Sequence, residues 1–197
     1  METGPSAQPS TPSVKANLNP AAKRLASPEG EFSEKGVLVR FQTSLGEVVI
    51  QLRDDKPITA GNFVKLVKMG FYDGTVFHRV IAGFMIQGGQ NCDIAVESIP
   101  DEVGSGNRNT AGTIAMAKTS EPNSATSQFF INVADNGNNP LDYAGTKFDS
   151  VYAVFGQVVE GMDVVLKIAR VPVTRNLYGE PSQPTVPVTL EKATVVP

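Results

Sequence analysis

Short runs that alternate apolar and polar residues recur along the chain after residue 36, and a period of two predicts β-strands. Residues 37–43 alternate in this way, residues 44–46 supply a turn, and residues 47–52 run back, which indicates a β-hairpin. We predict further strands from apolar or alternating runs at residues 76–81, 84–87, 113–117, 127–133, 152–159 and 188–195. The last strand is expected to pair with the first and to close the sheet.

Two segments follow the helical period instead. Their apolar stripes consist of Ala60, Phe63, Val64 and Val67 in the first, and Met162, Val165, Leu166 and Ala169 in the second. Pro57 suits the first turn of a helix, where its missing N–H is no loss, and Gly70 is a natural stop. Strands with short turns, two helices and no regular strand–helix alternation predict a mainly β, antiparallel barrel or sandwich with capping helices.

Residues 1–35 differ from the rest because prolines are scattered there among serine, threonine, alanine and lysine, with few large apolar residues. Such a segment cannot bury enough apolar surface to offset the entropy lost on ordering. We predict a flexible tail over residues 1–35 and one domain over residues 36–197. The alternative is a short helix near residues 21–26 that docks on the domain.

Composition excludes several classes of function. The formal net charge is −3 and no block of like charge occurs, so the sequence gives no case for nucleic acid or an anionic membrane. One cysteine and one histidine argue against a zinc site, and we expect no cofactor. No apolar run reaches the roughly 18 residues of a membrane span. Without a visible signal segment we expect a cytoplasmic monomer, or an exported or periplasmic one if such a segment was removed.

The stretch of residues 77–89 is the centre of the predicted chemistry. It holds the single histidine, His78, and places Arg79 and Gln87 within apolar strand-like runs. Burying such groups unpaired is costly, so they are expected to find partners. Gln128 and Phe130 share one face of a later strand. Together these side chains predict a groove with one guanidinium, two amides and apolar walls, which suits a neutral extended peptide with an apolar side chain.

Each of these residues also has an ordinary explanation when it is taken singly. Arg79 could be an ion-paired edge residue, and Phe84, Met85 and Phe130 could belong to the core. His78 alternates away from Arg79 and is interpreted as a core or rim histidine. Only the joint pattern favours a site.

Four motifs carry a resemblance to a known family. They are residues 77–89, 112–117, 124–132 and 153–163, which read FHRVIAGFMIQGG, GTIAMA, SATSQFFIN and AVFGQVVEGMD. These motifs closely resemble those of the cyclophilins, the cyclosporin-binding family of peptidyl-prolyl cis-trans isomerases. Their residues are most similar to those of the prokaryotic branch of the family. The resemblance covers roughly residues 37–196 in the family's order.

The resemblance implies a closed eight-stranded antiparallel β-barrel capped by two α-helices. It also implies an enzyme that accelerates rotation about X-Pro bonds, assists protein folding, and binds proline-containing peptides and unfolded or folding proteins. The alternative is a proline-peptide binding or scaffolding module in which catalysis is incidental.

Roles for individual residues follow from the same resemblance. Arg79 is the catalytic arginine, and His78 lies at the edge of the groove. Gln87 and Gln128 hold the peptide backbone or support Arg79, while Ala117 and Lys118 lie where backbone groups bind the residue before proline. The proline pocket is formed by Phe84, Met85, Phe130 and Leu141.

The chain departs from the family pattern at two positions. Pro140 stands where many members have a tryptophan that binds cyclosporin, so we predict weakened cyclosporin binding with retained isomerase activity. Tyr152 stands in place of a frequent second histidine. A tyrosine can still line the groove and form hydrogen bonds, so we predict an altered preference for the substrate sequence rather than loss of activity.

Overall fold

A computed structural model describes residues 36–104, 106–138 and 147–196. The predicted tail at residues 1–35 lies outside the described residues, and so do Pro140 and Leu141. The predictions made for these positions therefore stay predictions.

Eleven strands and two α-helices form the described part of the chain. The strands are β1 (Leu38–Thr43), β2 (Gly46–Leu52), β3 (Thr75–Val76), β4 (Arg79–Ile81), β5 (Met85–Gly88), β6 (Thr113–Met116), β7 (Phe129–Asn132), β8 (Val154–Glu160), β9 (Val173–Arg175), β10 (Pro181–Pro184) and β11 (Thr189–Val196). The helices are α1 (Pro57–Lys68) and α2 (Met162–Ile168), and a short 3-10 helix spans Phe148–Ser150. No helix in the described ranges is long and apolar enough to cross a membrane.

Nine of the strands form one antiparallel sheet in the order β3-β11-β1-β2-β8-β6-β7-β5-β4. Its two edge strands, β3 and β4, are joined by only Phe77 and His78, so the sheet must curl until its edges meet. Counted as one bent strand, β3 and β4 complete a ring of eight. The predicted antiparallel barrel with two helices is thus confirmed, including the pairing of the last strand with the first.

The interior of the barrel is aromatic and is capped by α1. Phe63 of this helix is fully buried, and its ring centre lies 4.9–6.1 Å from those of Phe41, Tyr72, Phe129 and Phe155. Edge-to-face and tilted packing at such distances adds to the free energy gained from burial alone. The helical stripe predicted from the sequence therefore does pack against the sheet.

Alternation along β7 separates two apolar layers. Phe129 and Ile131 belong to the main core, whereas Phe130 belongs to a second cluster on the outer face of the sheet. This is the division that the period of two predicts. Asn132, which alternation places on the same side as Phe130, is fully buried, and its side chain forms hydrogen bonds with Thr113 and Asn136.

The glycines that end β5 are required by close packing. A Cβ atom on Gly89 would lie 2.8 Å from the ring of Phe129, and the residue has a φ of +78°. One on Gly88 would lie 3.2 Å from the ring of Phe77. Only glycine combines a left-handed backbone with so close an approach, so Gly89 is required by the backbone geometry at the end of β5.

The segment after α2 differs most from expectation. None of the strands predicted from the sequence lies there, but β9 and β10 pair as an antiparallel ribbon. The ribbon packs beside β4, the strand that carries Arg79. It therefore forms an additional wall next to the predicted site.

Candidate active site

Register places the predicted site residues in one row across four neighbouring strands. Arg79 of β4 lies opposite Gln87 of β5, which lies opposite Phe130 of β7, which lies opposite Ala115 of β6. Directly opposed side chains on one face of a sheet are near neighbours. The row thus runs from a cation through an amide to an apolar patch.

The apolar patch is a compact cluster separate from the barrel interior. Met85 and Phe130 are only 2% and 4% exposed. The other members are Ala115, Phe148 and Val154, with Ile81, Phe84, Ala117 and Tyr152 packed against them and half-buried. The structure thus brings together three of the four residues predicted for the proline pocket; Leu141, the fourth, lies outside the described residues.

Aromatic rings form the outer wall of this patch. Phe148 contacts Phe84, with ring centres 5.4 Å apart, and Tyr152, at 4.9 Å. Tyr152 in turn meets Phe130 edge-to-face at 5.3 Å. Phe148 was not predicted from the sequence, since it stands alone before a turn and follows no strand or helix period.

Buried asparagine side chains fix the backbone beneath this wall. The Asn107 amide donates to the carbonyls of Asp149 and Tyr152 at 2.7 and 2.8 Å, and its oxygen accepts from the Val154 N–H at 2.8 Å. The Asn136 amide donates to the carbonyl of Phe84 at 2.7 Å. The long segment between β5 and β6, which contains Asn107, therefore supports the backbone of the site.

Arg79 is held by an ion pair with Glu180, a partner that the sequence did not indicate. Its Nε and Nη2 atoms donate to the two carboxylate oxygens of Glu180, both at 2.7 Å. The remaining terminal nitrogen, Nη1, lies 4.0 Å from the sulfur of Met85. Two-point pairing fixes the plane of a guanidinium, so one edge is occupied by Glu180 and Nη1 is left beside the apolar patch.

Glu180 is itself fixed by the turn that joins β9 to β10. The Asn176 side-chain oxygen accepts from the N–H groups of Tyr178 and Glu180 at 2.9 and 3.0 Å. The hydrogen bond from Arg79 lowers the pKa of Glu180, against the opposing effect of burial, and a further bond from Ser182 adds to the lowering. Glu180 is consequently a carboxylate at neutral pH.

Gln87 and Gln128 meet as predicted. The Gln87 amide donates to the side-chain oxygen of Gln128 at 3.0 Å, which joins β5 to the start of β7. The alternatives given for this pair, holding the peptide backbone or supporting Arg79, both stay predictions.

Ala117 and Lys118 follow β6 at the far end of the row. The Ala117 N–H donates to the carbonyl of Gln128 at 2.9 Å. The Lys118 side chain is 7% exposed and forms an ion pair with Asp101. Since this amine already has a partner, only the backbone of Lys118 is free to act as predicted.

His78 lies at the bend between β3 and β4, half-buried beside Arg79. Burial and, second, the positive charge of Arg79 lower its pKa, against an opposing backbone interaction with Val76. The imidazole is therefore neutral at pH 7, and its place at the rim of the site stays a prediction.

Comparison with known proteins gives a consistent result. The family model described as cyclophilin type peptidyl-prolyl cis-trans isomerase/CLD matches residues 38–195. A peptidyl-prolyl cis-trans isomerase of Acinetobacter baylyi is 52% identical over 148 residues, which cover 72% of this chain and 76% of that protein. Peptidyl-prolyl cis-trans isomerase B of Escherichia coli is 45% identical over 165 residues, which cover 80% and 99%.

A solved structure is also similar. A cyclophilin type peptidyl-prolyl cis-trans isomerase of Cryptosporidium parvum, in the presence of the dipeptide Ala-Pro, gives a TM-score of 0.68 at 25% identity, and the match covers 81% of this chain and 99% of that one. The chain belongs to the cyclophilin family of peptidyl-prolyl cis-trans isomerases. The resemblance drawn from the four motifs, and the isomerase function it implied, are confirmed.

Proposed function

We propose that this isomerase holds the proline ring of its substrate over Met85 and Phe130 while Arg79 stabilises the twisted amide. The observation that carries the proposal is one guanidinium, fixed by Glu180, beside an apolar patch on neighbouring strands. Proline-containing peptides and unfolded or folding proteins are the proposed substrates. The similar C. parvum structure in the presence of Ala-Pro supports this substrate class.

The chemistry requires no bond to be broken. Resonance in the amide gives X-Pro rotation a barrier of roughly 18–20 kcal/mol, so unaided exchange takes tens to hundreds of seconds. A catalyst must bind the twisted amide more tightly than either planar form. In the twisted amide the proline nitrogen becomes pyramidal, and its lone pair becomes a hydrogen-bond acceptor.

Arg79 is suited to that acceptor. A guanidinium stays protonated at any working pH, and a donor that is already oriented needs no reorganisation during the reaction. With Nε and Nη2 bound to Glu180, Nη1 is the group proposed to donate to the proline nitrogen or otherwise to stabilise its changed charge.

The remaining groups position the substrate. The apolar patch anchors the ring so that the acyl side can rotate, with Phe84 and Tyr152 as walls and Leu141 proposed to complete the pocket. Gln87 and Gln128 are proposed to bind peptide backbone groups. Backbone groups of Ala117 and Lys118 receive the residue before proline, and His78 borders the groove.

Exchange spectroscopy on an Ala-Pro peptide tests this proposal, with wild type compared to Arg79→Ala. We expect fast isomerisation by wild type and at least a tenfold loss in the variant, about 1.4 kcal/mol of transition-state stabilisation. Arg40→Ala is the matched control, since Arg40 is a half-exposed strand arginine on β1. A folded wild type that leaves the exchange rate unchanged would favour the binding-module alternative.

Three further expectations belong to the proposal. With Pro140 in place of tryptophan, cyclosporin is expected to inhibit weakly, and a nanomolar inhibition constant would contradict this. The exchange assay with added cyclosporin measures the inhibition constant directly.

A cytoplasmic location and a monomeric state are also proposed. Cell fractionation tests the location, and light scattering tests the monomeric state.

A further inference from the structure

A second concave region continues the site on the far side of Arg79. It is a cleft of about 550 Å³ between the bend at the start of β4 and the β9–β10 ribbon. The barrel side is lined by His78, Arg79 and Gln90, and the ribbon side includes Leu177, Tyr178 and Glu180. Arg79 therefore lines both the cleft and the proposed catalytic groove.

The ribbon presents two large apolar side chains to solvent at this cleft. Leu177 and Tyr178 are 101% and 95% exposed. Their backbone is nevertheless fixed, because the Gly179 N–H donates to the Asn176 carbonyl at 2.9 Å and the Asn176 N–H donates to the Glu180 carbonyl at 2.8 Å. A rigid turn that exposes adjoining apolar side chains gains free energy when another apolar group covers them.

Strand order indicates which part of a substrate would reach the cleft. Ala117 follows β6, and β7, β5 and β4 come next across the sheet, with the ribbon packed beyond β4. The proposed function puts the residue before proline at Ala117 and the proline ring over Phe130. On that basis, the chain that follows proline leads past Arg79 to the ribbon.

The residues that line the cleft favour a neutral side chain of the substrate. The cation and the anion that line the cleft, Arg79 and Glu180, are bound to each other. The other lining side chains are the imidazole of His78, the amides of Gln90, Asn176 and Gln183, and the apolar pair. Among the described lining residues no unpaired charge is left to attract an ionic side chain, while Leu177 and Tyr178 offer apolar contact area.

We propose that this cleft is a subsite for the residue that follows proline and that it prefers a large aliphatic or aromatic side chain. The inference rests on the proposed function, because it assumes that proline binds over Phe130. It assigns substrate preference to Leu177 and Tyr178, which lie outside the four motifs of the family.

Two peptides and one double variant test the subsite. Exchange spectroscopy gives kcat/KM for Ala-Ala-Pro-Phe and Ala-Ala-Pro-Gly with wild type and with Leu177→Ser/Tyr178→Ser. We expect wild type to favour the phenylalanine peptide at least fivefold and the double variant to lose that preference, with the glycine peptide unchanged within twofold. Val186→Ser is the control, because Val186 is 73% exposed and does not line the cleft.

The outcomes separate the subsite from the proposed function. Equal use of both peptides by wild type, or a preference that survives in the double variant, would overturn the subsite alone. Failure to accelerate either peptide would overturn the proposed function and the subsite with it. Since both replaced side chains are exposed, matching thermal unfolding of variant and wild type will show that the ribbon change has not unfolded the barrel.

Discussion

Removal of Glu180 should slow catalysis through its effect on Arg79. The carboxylate binds two of the three guanidinium nitrogens, and the third lies beside Met85. Glu180→Ala leaves Arg79 in place but frees its side chain to sample other rotamers. Arg79 then has Nη1 next to the apolar patch in a smaller fraction of the enzyme molecules when the amide of the substrate twists.

The size of the effect follows from the entropy of that side chain. Restricting a long charged side chain costs up to about 1.5–2 kcal/mol, and packing of Arg79 near Phe84, 5.9 Å from the ring centre, retains part of the order. The pair is about one third exposed, at 32% and 35%, so screening limits its strength. We therefore expect kcat/KM to fall about three- to tenfold, or about 0.7–1.4 kcal/mol.

A double-mutant cycle isolates this coupling. Exchange rates on an Ala-Pro peptide are measured for wild type, Glu180→Ala, Arg79→Ala and the double variant, with Glu180→Asp as the conservative replacement. The loss should vanish in the Arg79→Ala background and be partly rescued by aspartate. Asp55→Asn is the control, since Asp55 forms the same two-point pair with Arg53 away from the groove. An unchanged rate in Glu180→Ala, or an equal loss without Arg79, would refute the positioning role.

Two further predictions concern stability and its dependence on pH. Asn107→Ala should lower the free energy of unfolding by about 1–3 kcal/mol, because it removes hydrogen bonds to the carbonyls of Asp149 and Tyr152 and takes the acceptor from the buried Val154 N–H. Urea titration measures this, with the exposed Asn138→Ala as control. His78 has a pKa below its usual 6.5 in the folded protein, so the unfolded chain binds a proton more readily as pH falls through 6.5. The free energy of unfolding should therefore drop between pH 7.5 and 5.5 more steeply in wild type than in His78→Gln, and parallel urea titrations that show equal slopes would contradict this.

The barrel could be predicted because local patterns agree with its contacts. The β1–β2 hairpin alternates on both sides of a short turn, and α1 has one apolar stripe and a proline at its start. The break at Phe77 and His78 could not be predicted, since both residues fit a strand. Closure of the sheet at that bend is a property of the whole ring rather than of the local sequence.

The β9–β10 ribbon gave no usable signal. All three residues of β9 are exposed, and β10 begins and ends with proline. Neither strand therefore shows the apolar alternation that marks a half-buried strand. The ribbon is organised instead by Asn176, whose side chain binds the turn that follows it.

The site was predicted where its residues lie close in the sequence or in a recognisable motif. Arg79 and Gln87 face each other on adjoining strands, and both lie in the stretch of residues 77–89 that the sequence indicated as the centre of the chemistry. Glu180 lies 101 residues from Arg79 along the chain, and an acid in a loop has no pattern that indicates such a partner. The ordinary interpretation of Arg79 as an ion-paired residue and its interpretation as the catalytic arginine are therefore compatible.

The most direct test of the central claim separates binding from rotation in Arg79→Lys and Arg79→Ala. Exchange spectroscopy on an Ala-Pro peptide gives the isomerisation rate on the enzyme, and shift titration gives the Kd. If Arg79 acts on the twisted amide, the on-enzyme rate falls at least tenfold in Arg79→Ala and partly recovers in Arg79→Lys, while Kd changes less than threefold. An unchanged on-enzyme rate with weakened binding would contradict the account, because Arg79 would then bind both planar forms without favouring the transition state.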